Sequence, residues 1–391
     1  MVINKDENCP LAFIYPVDGD CITPKECKKT GAGVELSVKL RALPDHDITV
    51  CGTKAVWDGE YYVANVVIYG IKNTIKAVDN TSNQSCMITV CYLPMAYNKY
   101  RLFSDDNILF LADINANKDV YKSIFDNEYL SIYKKAHDLY GAKVHINLFY
   151  EFNEASAKSF GDDRPYFNLS MMTDRFKDEF IANSDWLKLA FHANSDYPPN
   201  PYGEADAEQI SRDCICVNKE IIRFAGAGSL SDCTTIHFAK TTEEGTRALR
   251  SLGYRSLEGD FVENEKYPCN YHYDMKKVRH VMKRDFFYDR DIDIFFCRTD
   301  VVLNAKQCDY NLNKLGELIN NPTEGGFIGL LMHEQYYYKD YKYHIPDFEA
   351  RLLEPCKFLW ENGYSGAFIS EILKERHVNE FPYDAVEKIK I

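Results

Sequence analysis

Six apolar runs in this chain end on a side chain that can ligate a metal or move a proton: ILFLAD at Asp113, HINLFYE at Glu151, WLKLAFH at His192, TTIH at His237, IDIFFCRTD at Asp300 and FIGLLMH at His333. Imidazole and carboxylate are ordinary ligands of zinc and manganese. His192 is followed by Asp196 in HANSD, so one turn of chain can aim both at a single ion. Asp113, His192, His237 and Asp196 are therefore the candidate metal ligands. Each also has a plainer reading. An acid after a buried strand must be paired, bind a cation or face a wet cavity, because burying it alone costs several kcal/mol; Asp113 could equally cap the next loop through Asn115 and Asn117. A histidine after a strand is more often a satisfied hydrogen-bonding group, and Asp196, beside YPP, could serve only to fix its turn. Glu151 and Asp300 are weaker candidates, since carboxylates at loop entrances commonly cap helices or pair with arginine. Arg223, in IIRFAG, could hold such a carboxylate or a substrate oxygen.

These residues need elements that bring them together. From Asn107 onward, short apolar runs alternate with amphipathic segments, the pattern of βα units and a parallel sheet. Runs near 108–114, 143–151, 186–192, 221–225, 234–238, 254–258, 291–298, 326–333 and 366–369 predict seven to nine strands, enough for a distorted (β/α) barrel of about seven to eight strands whose carboxyl ends share one mouth. Ile210, Cys214, Val217 and Ile221 recur on one face of a predicted helix. Another helix is expected to start at Thr241 with Glu244 completing a capping box, and a last one near 347–362 to be kinked or split at Pro355.

Before this region the periodicity is that of strands. Val34, Leu36, Val38 and Leu40 alternate with polar residues, and LAFIY, ITVCG, YYVANVVIYG and CMITVCYL are separated by turn-rich segments. The expected organisation is an all-β, Ig-like sandwich over residues 1–102 followed by the α/β unit over 103–391, with no catalytic cluster in the sandwich.

Composition narrows the function classes. A formal charge of −13 disfavours a nucleic-acid partner, because a phosphate backbone rewards clustered Lys and Arg. No run approaches 18 apolar residues and MVINKDENCP lacks a secretory layout, so no membrane partner and a cytoplasmic address are expected. The 13 cysteines have irregular spacing and no CxxC pair, which predicts buried free thiols; Cys21 with Cys27, or Cys86 with Cys91, would be the alternative as metal thiolates. Gly226 and Gly228 do not form a dinucleotide fingerprint, and no GxSxG elbow or phosphate loop occurs. The tyrosine-rich YYYKDYKY at 336–343 could supply stacking platforms for sugar rings or pack a loop over the barrel.

The order of FLADIN, FHANSD, IIRFAG and LLMHEQ resembles the polysaccharide deacetylase family (NodB-like, carbohydrate esterase family four), over about 290 residues from 103 to the end. That family carries an aspartate pair after its first strand, H(S/T)xxH after its third, an Arg-containing loop and a late LxH. The resemblance implies a divalent cation, zinc first with manganese, cobalt or nickel as alternatives, held by Asp113 and histidines. It implies a carbohydrate substrate losing an N-acetyl or O-acetyl group, with His333 protonating the leaving group and Arg223 on the substrate; Tyr336, from the tyrosine-rich run, is the other candidate substrate contact. The chain departs from the family where Ala112 stands for the first acid and Asp196 for the second metal histidine. His237 is then the compensating ligand, and Glu334, Asp196 or Glu151 the candidate base. Two other readings stay open: an inactive relative that binds carbohydrate, and a metal-free glycosidase using Asp113 and Glu151.

Overall fold

The computed structural model describes residues 10–31, 33–161, 164–263 and 269–373. Strand alternation in the first hundred residues produces two facing five-stranded sheets. One runs in the order Ala12–Tyr15, Val34–Arg41, Tyr62–Ile68, Val56–Trp57, with Lys28–Lys29 added to the second strand. The other runs Cys21–Ile22, Gln84–Tyr92, Lys72–Asp79, Ile48–Val50, Thr53–Lys54. Leu36, Val38 and Leu40 turn inward and are fully buried with Val66, Ile75 and Val90, while Ser37, Lys39 and Arg41 face outward. Removing that apolar face from water is what holds the two sheets together.

After the sandwich strands comes Lys99–Asn107, the first strand of a parallel sheet. This main sheet has the order Leu187–Ala193, Val144–Phe149, Lys99–Asn107, Phe327–His333, Val301–Val302, with Ser365–Gly366 paired beside the central strand. A second sheet has Cys233–Thr234, Ser256–Gly259 and Ile294–Arg298 in parallel, and Phe286–Asp289 antiparallel at its edge. Ten α-helices occur among the described residues. The architecture is mixed α/β. The expected closed ring of strands is not formed among the described residues, because the backbone ladder stops at two seams. At the seam between Leu187–Ala193 and Cys233–Thr234 the ladder shrinks to one isolated parallel bridge, Leu189 with Leu230, where Ser231 N donates to Leu189 O at 2.9 Å, and beyond it the Thr234 hydroxyl donates to the Phe191 carbonyl. At the other, the chain leaves one sheet at Arg298 and joins the other at Val301.

Two further expectations change. ILFLAD is not a strand, because the strand ends at Asn107 and Leu109–Ala116 is a helix. Its start is stabilised from outside: the buried Glu334 carboxylate accepts from Ile108 N, Leu109 N and Phe110 N at 2.7, 2.9 and 2.6 Å, taking up amides that a helix leaves unpaired. IIRFA is the last turn of the helix Ala207–Ala225, whose Ile210, Cys214, Val217 and Ile221 form the buried stripe. The helix near residue 242 is capped by Thr242, one residue after Thr241, and Phe348–Glu361 continues through Pro355 as a single helix.

One ion pair fastens the two sheets below the site. Arg101 on the central strand is fully buried, its guanidinium paired with Glu258 from Ser256–Gly259 and placed 2.6 Å from His145 Nδ1. The sandwich is tied on by Arg284, which meets Glu26 at 2.8 Å, and by His280, 2.5 Å from Asp20.

Candidate metal and proton-transfer site

Because the strands of the main sheet are parallel, their carboxyl ends lie together, and the central one ends on Ser104, Asp105, Asp106 and Asn107. A register irregularity there, with Asp106 at φ +62°, turns the second acid out of the strand's alternation. His192 lies at the end of Leu187–Ala193, two strands over from the central one, and His237 follows Cys233–Thr234 across the seam. Phe238 and Ala239 after it also have positive φ, +61° and +44°, strain of a kind that concentrates at functional sites.

Asp106, His192 and His237 form a small triangle. Asp106 Oδ1 is 3.1 Å from His192 Nε2 and 3.2 Å from His237 Nδ1, and the two nitrogens are 3.2 Å apart. Tetrahedral zinc with bonds of about 2.0–2.1 Å separates its ligand atoms by about 3.3 Å, so the triangle has the size of one face of such a site. The protons point the same way. His192 Nδ1 is 2.5 Å from the Thr235 carbonyl oxygen, which only accepts, so Nδ1 carries a proton. The neutral ring then aims the Nε2 lone pair at a carboxylate, an arrangement relieved by a cation, whether a metal ion or a proton on the imidazole. The donor set fits a divalent metal of the zinc or manganese kind.

The surroundings stabilise this charge pattern. Burial pushes the Asp106 pKa upward, but the imidazoles of His192 and His237, when protonated, outweigh it and hold the carboxyl well below its usual range. Burial works against charging His192, yet Asp105 and Asp106 raise its pKa. Gln335 Nε2 donates to Asp106 Oδ2 at 2.7 Å, leaving Oδ1 to the histidines. Asp105, nearly fully buried, accepts from Asn147 Nδ2 at 2.6 Å through Oδ1. The Phe149 ring packs on both His192 and His237 at 5.2 and 5.1 Å, giving the site one apolar wall.

The other expected residues are placed as follows. Asp196 is 3.6 Å from His237 Nε2, on the side of the ring away from Asp106, where it faces the second nitrogen. Burial and the Asp106 charge push its pKa up to about 6. Asp113 is not brought to His192: on its helix it accepts from Tyr121, Asn127 and Asn117 at 2.8, 2.8 and 3.0 Å. Glu151 is bound by Tyr166, Asn153 and Asn194, and shares no hydrogen-bond partner with Asp113 among the described residues. Arg223 pairs with Glu220 and donates to the Met172 and Leu169 carbonyls, bracing a loop. Asp300 pairs with Arg298 and accepts from Gly329 N. Glu334 also receives the Tyr338 hydroxyl, so its oxygens are engaged in helix capping. His333 ends its strand opposite Asp105 in register, and Tyr336 lies 6.1 Å from it, ring to ring.

Sequence reasoning missed Asp105 and Asp106. The signal was present in YRLFSDDN, an apolar stretch followed by two adjacent acids. Cys21, Cys91, Cys214, Cys233, Cys297 and Cys356 are buried free thiols. No described helix is long and apolar enough to cross a membrane.

No protein-family model matches the chain, and no curated protein does. Among solved structures it is similar to a CE4 family pseudoenzyme from Bacillus anthracis, with 12% identity over 84% of this chain and 91% of that one, at a TM-score of 0.35. A protein from Bacteroides fragilis whose name proposes an alpha-galactosidase matches at 8% identity over 88% of this chain and 78% of that one, at a TM-score of 0.27. These are distant likenesses.

Proposed function

We propose that this protein is a divalent-metal-dependent hydrolase that removes acetyl groups from an N-acetylated or O-acetylated sugar or glycan. The observation that carries the reading is the triangle of Asp106, His192 and His237 at the carboxyl ends of parallel strands. The sugar substrate is supported by the order of SDDN, FHANSD and LLMHEQ at strand ends, which resembles polysaccharide deacetylases with SDDN in place of FLADIN; IIRFAG, in a helix end, does not contribute.

Asp106, His192 and His237 would hold the cation, zinc being the best fit to one carboxylate and two imidazoles. Such a cation polarises an acyl carbonyl and lowers the pKa of water toward about 7. Asp105 acts as the base: Asn147 occupies its Oδ1, and the carboxylate accepts the proton of the attacking water. His333 gives a proton to the departing amine or alcohol. Asp196, 3.6 Å from His237 Nε2, supports that ring by its charge instead of serving as a ligand, and Gln335 holds Asp106. Tyr336 stands beside His333 on the substrate side. Glu334, saturated by backbone amides, supports the scaffold and does not take the base role.

The test is metal analysis of the purified protein together with acetate release from N-acetyl and O-acetyl sugars, before and after chelation. Stoichiometric zinc or manganese, and turnover that is lost on chelation and restored by the metal, are expected. Full turnover in metal-free protein would overturn the reading, as would metal-loaded protein that binds glycan without releasing acetate.

A further inference from the structure

Among the described residues the hydrogen-bond partner of His333 Nδ1 is Asn304, just after the short strand Val301–Val302. The Asn304 amide has a determined orientation. Its Oδ1 lies 3.2 Å from the backbone nitrogen of His333, which can only donate, so the atom there is the carbonyl oxygen. The same oxygen lies 2.9 Å from His333 Nδ1. An oxygen already accepting from a backbone N–H has no proton to give, so Nδ1 must be the donor. The amide nitrogen is left for the Tyr336 hydroxyl, which also hydrogen-bonds Asn304. Leu303 N donates to Leu331 O at 2.7 Å, so the residue before Asn304 is docked to the strand that carries His333.

We propose that Asn304 is the positioning residue of this site: it holds His333 as the Nδ1–H tautomer, so that Nε2 is the atom that exchanges a proton with the leaving group. The assignment of that proton to a leaving group rests on the hydrolase reading, whereas the tautomer does not. Both protonation states of His333 keep Nδ1–H, so the Asn304 hydrogen bond survives proton transfer and the ring keeps its orientation.

The experiment is long-range ¹H–¹⁵N correlation on the full chain with ¹⁵N-histidine, with His333→Gln providing the assignment by subtraction. It is run on chelated protein, so the outcome does not depend on turnover. Neutral His333 is expected to show a protonated-type Nδ1 and a lone-pair-type Nε2. Asn304→Asp should retain that pattern, and Asn304→Leu should move the ring toward Nε2–H. In the metal-loaded protein Asn304→Leu should lower kcat by about 10²-fold or more with KM changed less than about threefold, with activity partly rescued in Asn304→Asp. An Nε2–H wild-type ring, or an unchanged tautomer in folded Asn304→Leu, overturns the proposal. If Asn304→Leu does not fold, the wild-type spectrum and Asn304→Asp still decide. Absence of acetate release with the expected tautomer would refute the hydrolase reading and the leaving-group role, and leave Asn304 as the residue that fixes the ring.

Discussion

Replacing Glu334 by Gln separates a catalytic base from a helix anchor. Glu334 is fully buried and touches four donors: Ile108 N and Leu109 N on Oε2, Phe110 N and the Tyr338 hydroxyl on Oε1. A protonated carboxyl can keep all four contacts by giving its proton to the Tyr338 oxygen. A glutamine cannot, because its NH₂ must face at least one backbone N–H, and one unsatisfied buried donor costs about 1–3 kcal/mol. Burial pushes the Glu334 pKa up to about 7 from 4.5. Between those values the folded protein binds more protons than the unfolded chain, so its contribution to stability falls as pH rises, by about 3 kcal/mol across the window. Glutamine has no such titration. The variant should therefore be less stable than wild type by about 1–3 kcal/mol at pH 5, and the deficit should shrink or reverse by pH 8. Urea unfolding of both proteins at the two pH values measures it, and comparing the pair cancels every titration they share. A deficit that grows with pH would show that the four donors stabilise the anion more than burial penalises it, and would refute this account. Unchanged stability at both pH values with turnover abolished would restore Glu334 as the base.

His192→Ala and His237→Ala should each remove stoichiometric metal binding in calorimetric titration, whereas Asp113→Ala should retain it and lose about 1–3 kcal/mol of stability from stranded partners at Tyr121, Asn117 and Asn127. Asp105→Asn should keep the metal and lower kcat by about 10²–10⁴-fold, read by acetate release on metal-loaded protein. Arg101→Met should destabilise by about 3–5 kcal/mol in urea, because it leaves Glu258 buried without its counter-charge, and Arg101→Met with Glu258→Gln should recover part of that loss. Phe110→Ala, at a fully buried ring on the Glu334-capped helix, should cost about 3–5 kcal/mol.

The period-two alternation from Val34 to Leu40 was legible because a strand in a two-sheet sandwich buries one face and wets the other, and composition records that directly. The α/β region was legible as strand-end chemistry, and His192, His237 and His333 do end or follow strands. ILFLAD was not legible, since a short continuous apolar run reads alike as a buried strand or a buried helix. What decides between them is Glu334, more than two hundred residues away, whose carboxylate takes the amides at the run's start. Once that run is a helix, the strand must end earlier, and the acids at its end become Asp105 and Asp106 in place of Asp113. The closed ring of strands failed for a related reason: Thr234 and His192 direct side chains at backbone carbonyls across the seam, where a ladder would otherwise continue. Long-range partners with no periodicity of their own thus set both the reach of the sheet and the identity of the ligands. The same holds for Asn304, which follows an apolar pair too short to signal a strand yet determines which nitrogen of His333 bears the proton. In this fold a chemical group can be guessed from where an apolar run stops, but its protonation and aim come from a neighbour that only the tertiary structure supplies.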